Sequence, residues 1–227
     1  MNKNLKIKSY LERKIYYFDE EYLKVLKNIL DLKYKVIEEF KNDTRTYVAK
    51  IIIDDKNYIL KKIYTTKKRK KILSIFKKGE ALSTLLNINE GVEKGITELA
   101  KPLGAVVERK NGIITNEILL IEYYNGKIVN EDKEYFEILK ALNKIYLLKR
   151  FHGDCNPANF FYINGKIIIL DTKLKKMLFG NYRQHYDILT LMKHFRNKID
   201  YPYKKNIFYY FAAFARKMRD KKRERNE

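Results

Sequence analysis

His152-Gly153-Asp154-Cys155-Asn156-Pro157-Ala158-Asn159-Phe160-Phe161-Tyr162-Ile163-Asn164-Gly165-Lys166-Ile167-Ile168-Ile169-Leu170-Asp171 is the most informative stretch of this chain. Two apolar runs, 160–163 and 166–170, flank Asn164-Gly165. That dipeptide tolerates positive φ at both turn positions, so it predicts a two-residue hairpin. A polar loop feeds the first strand and an aspartate closes the second. Antiparallel pairing returns the end of the second strand to the start of the first, so Asn159 and Asp171 are expected to be neighbours. Asp154 lies in the feeding loop, five residues before Asn159. Two carboxylates and an amide thus converge at one end of a small sheet. Such a set suits a divalent cation with oxygen ligands that keeps some of its waters. It also leaves one carboxylate to orient a hydroxyl nucleophile.

The order D-x-x-x-x-N, hairpin, D resembles the catalytic core of the protein-kinase-like phosphotransferases. The resemblance implies an α+β, bilobal protein-kinase-like fold. Residues 1–122 would form a small N-lobe of antiparallel sheet plus helix, 123–126 a hinge, and 127–227 a reduced, mostly helical C-lobe. It assigns Asp154 the position of the catalytic base, Asn159 one metal ligand and Asp171 the main metal ligand. The implied cofactors are ATP and Mg²⁺.

At 227 residues the chain is long enough to bury a core as one domain or two small lobes. It has no run of eighteen apolar residues, so no transmembrane helix is expected. Met1 to Lys8 alternates basic and polar residues without an apolar segment and does not read as a signal peptide. The single cysteine, Cys155, excludes an internal disulfide and fits a reducing, cytoplasmic compartment. The formal net charge of +21 makes the surface attractive to polyanions: nucleic acid, anionic lipid head groups or a phosphorylated glycolipid.

Along the chain, residues 19–30 read as an amphipathic helix that Asp19 can cap, with Tyr22, Val25, Leu26, Ile29 and Leu30 on one face. Three strands follow, Tyr34–Phe40, Thr46–Ile53 and Tyr58–Tyr64. The loop between the first two contains no glycine. In a kinase-like fold it would cover the nucleotide phosphates, with donors from Thr44, Arg45, Thr46 and the backbone. The third strand carries Lys61 and Lys62. Either resembles the lysine that grips the α- and β-phosphates, and Lys61 is the first choice. Alternation sends the two to opposite faces, so only one can serve. Residues 61–78 hold nine basic side chains and no acidic one. A helix is expected from about Ile72 to Asn87, and within it Glu80 resembles the glutamate that pairs with the strand lysine. Strands at 101–108 and 115–122 turn at Asn111-Gly112. The second runs into Glu122-Tyr123-Tyr124, where a hinge would meet the adenine edge; Glu122 and Tyr124 are therefore candidate nucleotide contacts. A helix near 134–149 buries Tyr135, Ile138, Leu139, Leu142, Ile145 and Tyr146.

Asp187 begins an apolar-periodic helix and is expected either to cap it or to brace the catalytic loop from beneath. The remaining histidines, His185 and His194, have no metal-ligand spacing, so zinc is not expected. The terminal helix, about 204–222, opens with Phe208, Tyr209, Tyr210, Phe211 and Phe214, read as core. Its basic end reads as a solvated tail or a contact with an anionic surface.

Three departures separate the chain from typical protein kinases. Gly153 replaces the arginine that would read a phosphorylated activation loop. Thr172-Lys173 follows Asp171 in place of Phe-Gly. The gap from Asp171 to Asp187 leaves no room for a peptide-docking segment. A small or sugar-like acceptor fits better. Lys77-Lys78-Gly79-Glu80-Ala81, His152-Gly153-Asp154-x-Asn156-Pro157-x-Asn159-Phe160, Asp171-Thr172-x-Leu174-Lys175-Lys176-Met177-x-Phe179-Gly180-Asn181-Tyr182-Arg183 and His185-Tyr186-Asp187 resemble the lipopolysaccharide core heptose-II kinase family. That resemblance spans most of the chain. It implies ATP-dependent phosphorylation of a heptose hydroxyl of the inner core, at the cytoplasmic face of the inner membrane. Lys173, Lys175, Lys176 and Arg183 stand in a segment without acids, 172–186, and would hold the phosphorylated core oligosaccharide. Two alternatives remain at this level. A compact, RIO-like protein serine kinase would label protein and not glycolipid. A non-catalytic basic module, binding membrane or nucleic acid, has the charge as its only support, and nucleic acid is the least favoured partner.

Overall fold

A computed structural model describes residues 5–66, 68–129, 132–195 and 200–225. Lys67 of the basic run and the first residues of the N-terminal segment lie outside them. The fold is α+β, as expected, and divides into two compact units. Residues 1–90 and 100–124 form the first, and 91–99 and 125–227 the second. Among the described residues no helix is long and apolar enough to cross a membrane.

The first unit is a seven-stranded antiparallel sheet. Its strands are β1 (Lys6–Tyr10), β2 (Arg13–Tyr17), β3 (Lys35–Asn42), β4 (Thr46–Ile53), β5 (Lys56–Tyr64), β6 (Pro102–Lys110) and β7 (Ile113–Glu122). They lie in the order β1-β2-β6-β7-β5-β4-β3. Helix α1 (Glu20–Leu30) covers one face. Its Val25, Leu26 and Ile29 are buried against Ile51, Tyr58 and Leu60. Each such side chain contributes roughly 1.5–3 kcal/mol of transfer free energy. Asp19 stands at the helix start as expected, yet its side chain makes no capping bond.

The single helix expected over 72–87 is two helices. They are α2 (Lys68–Ser74) and α3 (Glu80–Glu93). The sheet takes the backbone groups that a continuous helix would bond internally. The Arg109 guanidinium donates to the carbonyls of Ser74 and Lys77, and the Glu117 carboxylate accepts the Ala81 N–H at 2.8 Å. From its start α3 covers the opposite face of the sheet, with Ala81, Leu82 and Leu85 packed on Val107, Ile114 and Leu119.

The second unit contains β8 (Lys127–Ile128), α4 (Asp132–Leu147), β9 (Arg150–Phe151), β10 (Phe160–Ile163), β11 (Lys166–Ile169), β12 (Lys175–Lys176), α5 (Tyr182–Met192) and α6 (Ile207–Glu224). Helix α4 buries Tyr135, Ile138, Leu142, Ile145 and Tyr146, the expected face. The Asn164-Gly165 hairpin forms with Phe160 opposite Ile169. Helix α6 packs along α5 through a buried side that includes Ala212 and Arg216. Of the five aromatic residues expected in its core, Phe208 and Tyr209 are half-buried, and Tyr210, Phe211 and Phe214 face outward, exposed.

Candidate active site

The loop that follows β9 is held from several directions. The buried Asp187 carboxylate, on α5, accepts the N–H of His152 at 2.8 Å and of Gly153 at 3.0 Å. Asp187 lies mid-helix, so of its two expected roles the structure gives it the brace and not the cap. Burial pushes its carboxyl up to about 7, against the pull of the two amides and the nearby Arg183 charge. Gly153 has φ +96, a conformation that a side chain resists, and a Cβ there would lie 3.3 Å from the Phe151 ring. This gives a local reason for glycine at this position, where a side chain would be strained.

His152 is buried, and its Nδ1 accepts the Asp154 N–H at 3.2 Å, which puts the imidazole proton on Nε2. Burial pulls the imidazole down to about 4, so it stays neutral at pH 7. Beyond Asp171, Thr172 Oγ1 donates to the His152 carbonyl and accepts the Leu174 N–H. The Arg150 guanidinium donates to the Leu174 carbonyl at 2.6 Å. Segment 172–177 is therefore laced to segment 149–152, an arrangement completed by the β9–β12 pair.

Asn159 Nδ2 donates to the Asp154 carbonyl at 2.8 Å, closing the loop on itself. That bond leaves Asn159 Oδ1 as the acceptor it can offer to a cation. The hairpin ladder reaches this residue, because the Leu170 N–H donates to the Asn159 carbonyl at 2.8 Å. Asp171 follows directly, exposed and in the left-handed region at φ +46. Asp154, Asn159 and Asp171 thus gather at one end of the hairpin, and the Asp154 side chain is exposed. Cys155, between them in sequence, is fully buried beside the Asp187 carboxylate and Tyr146. Burial raises its thiol well above the usual range, which rules out a thiolate nucleophile at neutral pH.

Next to this loop, and sharing Phe151 with it, is a groove of about 570 Å³. Lys175, Lys176, Arg183, Tyr182 and Phe208 are among its walls. The Arg183 guanidinium lies over the rings of Phe151 and Tyr182, at 5.2 and 5.4 Å from their centroids. Of the four expected acceptor cations, three line the groove, and the half-buried Lys173 does not.

The expected nucleotide contacts lie in the first unit. Lys62 shares its face of β5 with Leu60 and Tyr58, under α1. Its ammonium donates to Tyr34 Oη at 3.1 Å and lies over the rings of Tyr34 and Tyr47. Lys61 is opposite Leu119 in the β5–β7 ladder and shares the face on which α3 packs. Glu80 opens α3 on that face. Sequence reasoning missed Glu117, whose buried carboxyl accepts the α3 N-terminus and is raised by burial. Its glutamate in a strand otherwise rich in β-branched residues was the available signal.

At the β3–β4 turn the amides of Arg45 and Thr46 both donate to Asp43 Oδ1, at 2.8 and 2.7 Å. Those two amides are already engaged, and the side chains of Thr44, Arg45 and Thr46 and the Thr44 amide are the other donors of the turn. Glu122 accepts the Tyr124 hydroxyl at 2.9 Å, and Tyr124 Oη accepts the Lys101 N–H. Burial pushes the Tyr124 phenol up to about 12. Among the described residues no group of three or more His, Cys, Asp or Glu is placed to hold a metal.

No curated protein matches the chain. Residues 1–225 match the family described as Lipopolysaccharide core biosynthesis protein (WaaY). With that match spanning nearly the whole sequence, the chain belongs to the WaaY family of lipopolysaccharide core biosynthesis proteins.

Proposed function

We infer that this protein is an ATP-dependent kinase that phosphorylates a heptose hydroxyl of the lipopolysaccharide inner core. The observation that carries the reading is the closed loop of Asp154 and Asn159, joined by the hairpin ladder to Asp171. Family membership supports the glycolipid acceptor. In this reading the exposed Asp154 carboxylate orients the acceptor hydroxyl and takes its proton as the oxygen bonds to the γ-phosphorus and ADP departs. Asn159 Oδ1 and the Asp171 carboxylate would hold Mg²⁺. Their all-oxygen chemistry fits that ion, and two protein ligands suffice because Mg²⁺ takes its other positions from phosphates and water. When bound, the cation offsets charge on the phosphate oxygens. Lys61, with Glu80 at the start of α3, is the proposed phosphate lysine, and Lys62 is engaged with tyrosines on the other face. Thr44 and Arg45 are proposed to add phosphate contacts, and Glu122 and Tyr124 to stand at the adenine edge. Lys175, Lys176 and Arg183 would bind acidic groups of the core oligosaccharide, with Lys173 as a further cation outside the groove lining. The work would be done at the cytoplasmic face of the inner membrane, where ATP is available.

The test is transfer of labelled phosphate from Mg²⁺-ATP to lipopolysaccharide lacking this phosphate, alongside a thermal-shift titration of the parent and Asp171→Ala. Label on the heptose and a Mg²⁺-dependent rise in melting temperature lost in the variant are expected. Label on protein alone, or no rise with the parent, would sink the reading.

A further inference from the structure

Helix α6 has two unlike sides. Ala212 and Arg216 are buried on the side toward α5, where Arg216 pairs with Asp220. The opposite side is apolar and faces outward. Ile207, Tyr210, Phe211, Phe214 and Met218 recur at helical spacing to form one stripe. Tyr210 is 63 % and Phe214 66 % exposed. The loop before α5 extends the patch. Leu178 and Phe179 are 84 % and 77 % exposed, and a Cβ on Gly180 would fall 2.5 Å from the Phe208 ring, so this loop lies directly on the start of α6. A soluble monomer seldom leaves so many large apolar side chains together in water.

The surroundings of the stripe are basic. Lys217 and Lys221 follow Phe214 and Met218 by three positions each and run beside them, exposed. Lys175 and Lys176 stand on the groove that Leu178, Phe179 and Phe211 also line. Residues 207 to 219 contain no acid. Aromatic and aliphatic groups on one helical face, edged by lysines, are the makings of a helix that lies in a membrane interface.

The geometry points to the outer face of α6, with the loop at 178–179, as the surface by which this protein docks on an anionic lipid bilayer. The apolar stripe enters the head-group boundary, and the lysines meet lipid phosphates at its margin. A second copy of the chain is the poorer occupant. A two-fold interface would gather two sets of the same lysines into one seam, between chains that each already carry +21. The groove that begins beside Phe151 then opens at head-group level. A membrane-embedded glycolipid could reach it without leaving the bilayer.

The experiment is flotation of the full chain with vesicles of phosphatidylcholine alone, and of phosphatidylcholine mixed equally with phosphatidylglycerol. Binding to the mixed vesicles and not to the neutral ones is expected. The double variant Tyr210→Ser/Phe214→Ser should partition roughly tenfold less or weaker still. Lys217→Gln/Lys221→Gln should lose roughly tenfold, and added salt should reproduce only this second loss. Because these side chains are exposed, the unfolding midpoints of both variants should match the parent. The proposal fails if the parent does not float with mixed vesicles, or if the aromatic variant floats as well as the parent. It also fails if sedimentation velocity shows a dimer that the aromatic variant dissolves while vesicles remain unbound, which would give the stripe to a second copy. None of these readouts uses phosphate transfer, so this proposal and the kinase reading stand or fall separately.

Discussion

The turn at 43–46 and the loop at 152–159 each tie two backbone amides to a single aspartate. In the turn the aspartate is local and exposed: Asp43 takes the N–H groups of Arg45 and Thr46, which hold its carboxyl below the usual range. In the loop the aspartate comes from helix α5, is 1 % exposed, and is pushed up to about 7. The bonds are alike and their dependence is opposite. The turn carries its own acceptor and can close with its hairpin. The loop that presents Asp154 closes only when α5 has packed beneath it. Local sequence therefore sets the first, and tertiary structure sets the second.

The largest effect concerns the product of that packing. Asp154→Asn should lower phosphate transfer about 10²–10⁴-fold, with the unfolding midpoint unchanged because the side chain is exposed. A rate near that of the parent would remove Asp154 from its proposed role. Next, Asp187→Ala strands two amide donors and should cost about 2–4 kcal/mol in urea unfolding. Asp43→Ala, on an exposed turn, should leave stability almost untouched. Equal losses in the two variants would break the contrast between the loops.

Lysines on the two faces of β5 extend the comparison to the nucleotide. Lys61→Met should weaken Mg²⁺-ATP binding by roughly tenfold or more, if Lys61 contributes the usual charge-assisted bond. Lys62→Met should leave binding intact and cost only about 0.5–1 kcal/mol of stability through its lost tyrosine contacts. A titration of the two variants that reversed this order would exchange their roles.

The last test is a slope. Asp187 moves from 3.8 to about 7 on folding, so the stability it contributes is complete below about pH 4 and is lost as pH rises through 7. His152 moves from 6.5 to about 4, so its contribution is complete above pH 6.5 and is lost as pH falls through 4. Between pH 4 and 6.5 the two oppose each other. Asp187→Asn leaves the histidine slope alone, and stability of that variant should rise with pH across this window more steeply than in the parent. The limit is about 1.4 kcal/mol per pH unit for one proton. A parallel pair of urea profiles would show that Asp187 is not as strongly perturbed as its burial implies.

The features legible in the sequence are those with local causes. Asn164-Gly165 and Asn111-Gly112 take the positive φ values their hairpins require, and α4 buries the face its spacing announces. The first hairpin, β1–β2, was not legible. It turns at Leu11 and Glu12, which adopt φ +47 and +58 although neither residue favours that region. The break between α2 and α3 was hidden because its cause lies in Arg109 and Glu117, far along the chain. The terminal helix misled in a simpler way. Its aromatic start was read as core, but an apolar run does not say whether the face it makes meets protein. At the candidate site, residue types and turn chemistry bring Asp154, Asn159 and Asp171 together. The choice between capping and bracing for Asp187 needed the position of α5.

The lone thiol gives this chain a built-in clock for its central loop. Cys155 follows Asp154, has no exposed surface, and lies against the same Asp187 that anchors the loop. An alkylating reagent can reach it only when the loop lifts away from α5. With no other cysteine in the sequence to react, the rate of labelling in the folded protein counts those openings directly. Any ligand that steadies Asp154 from above must slow that count, so a simple thiol assay reads the occupancy of the site without following the reaction at all.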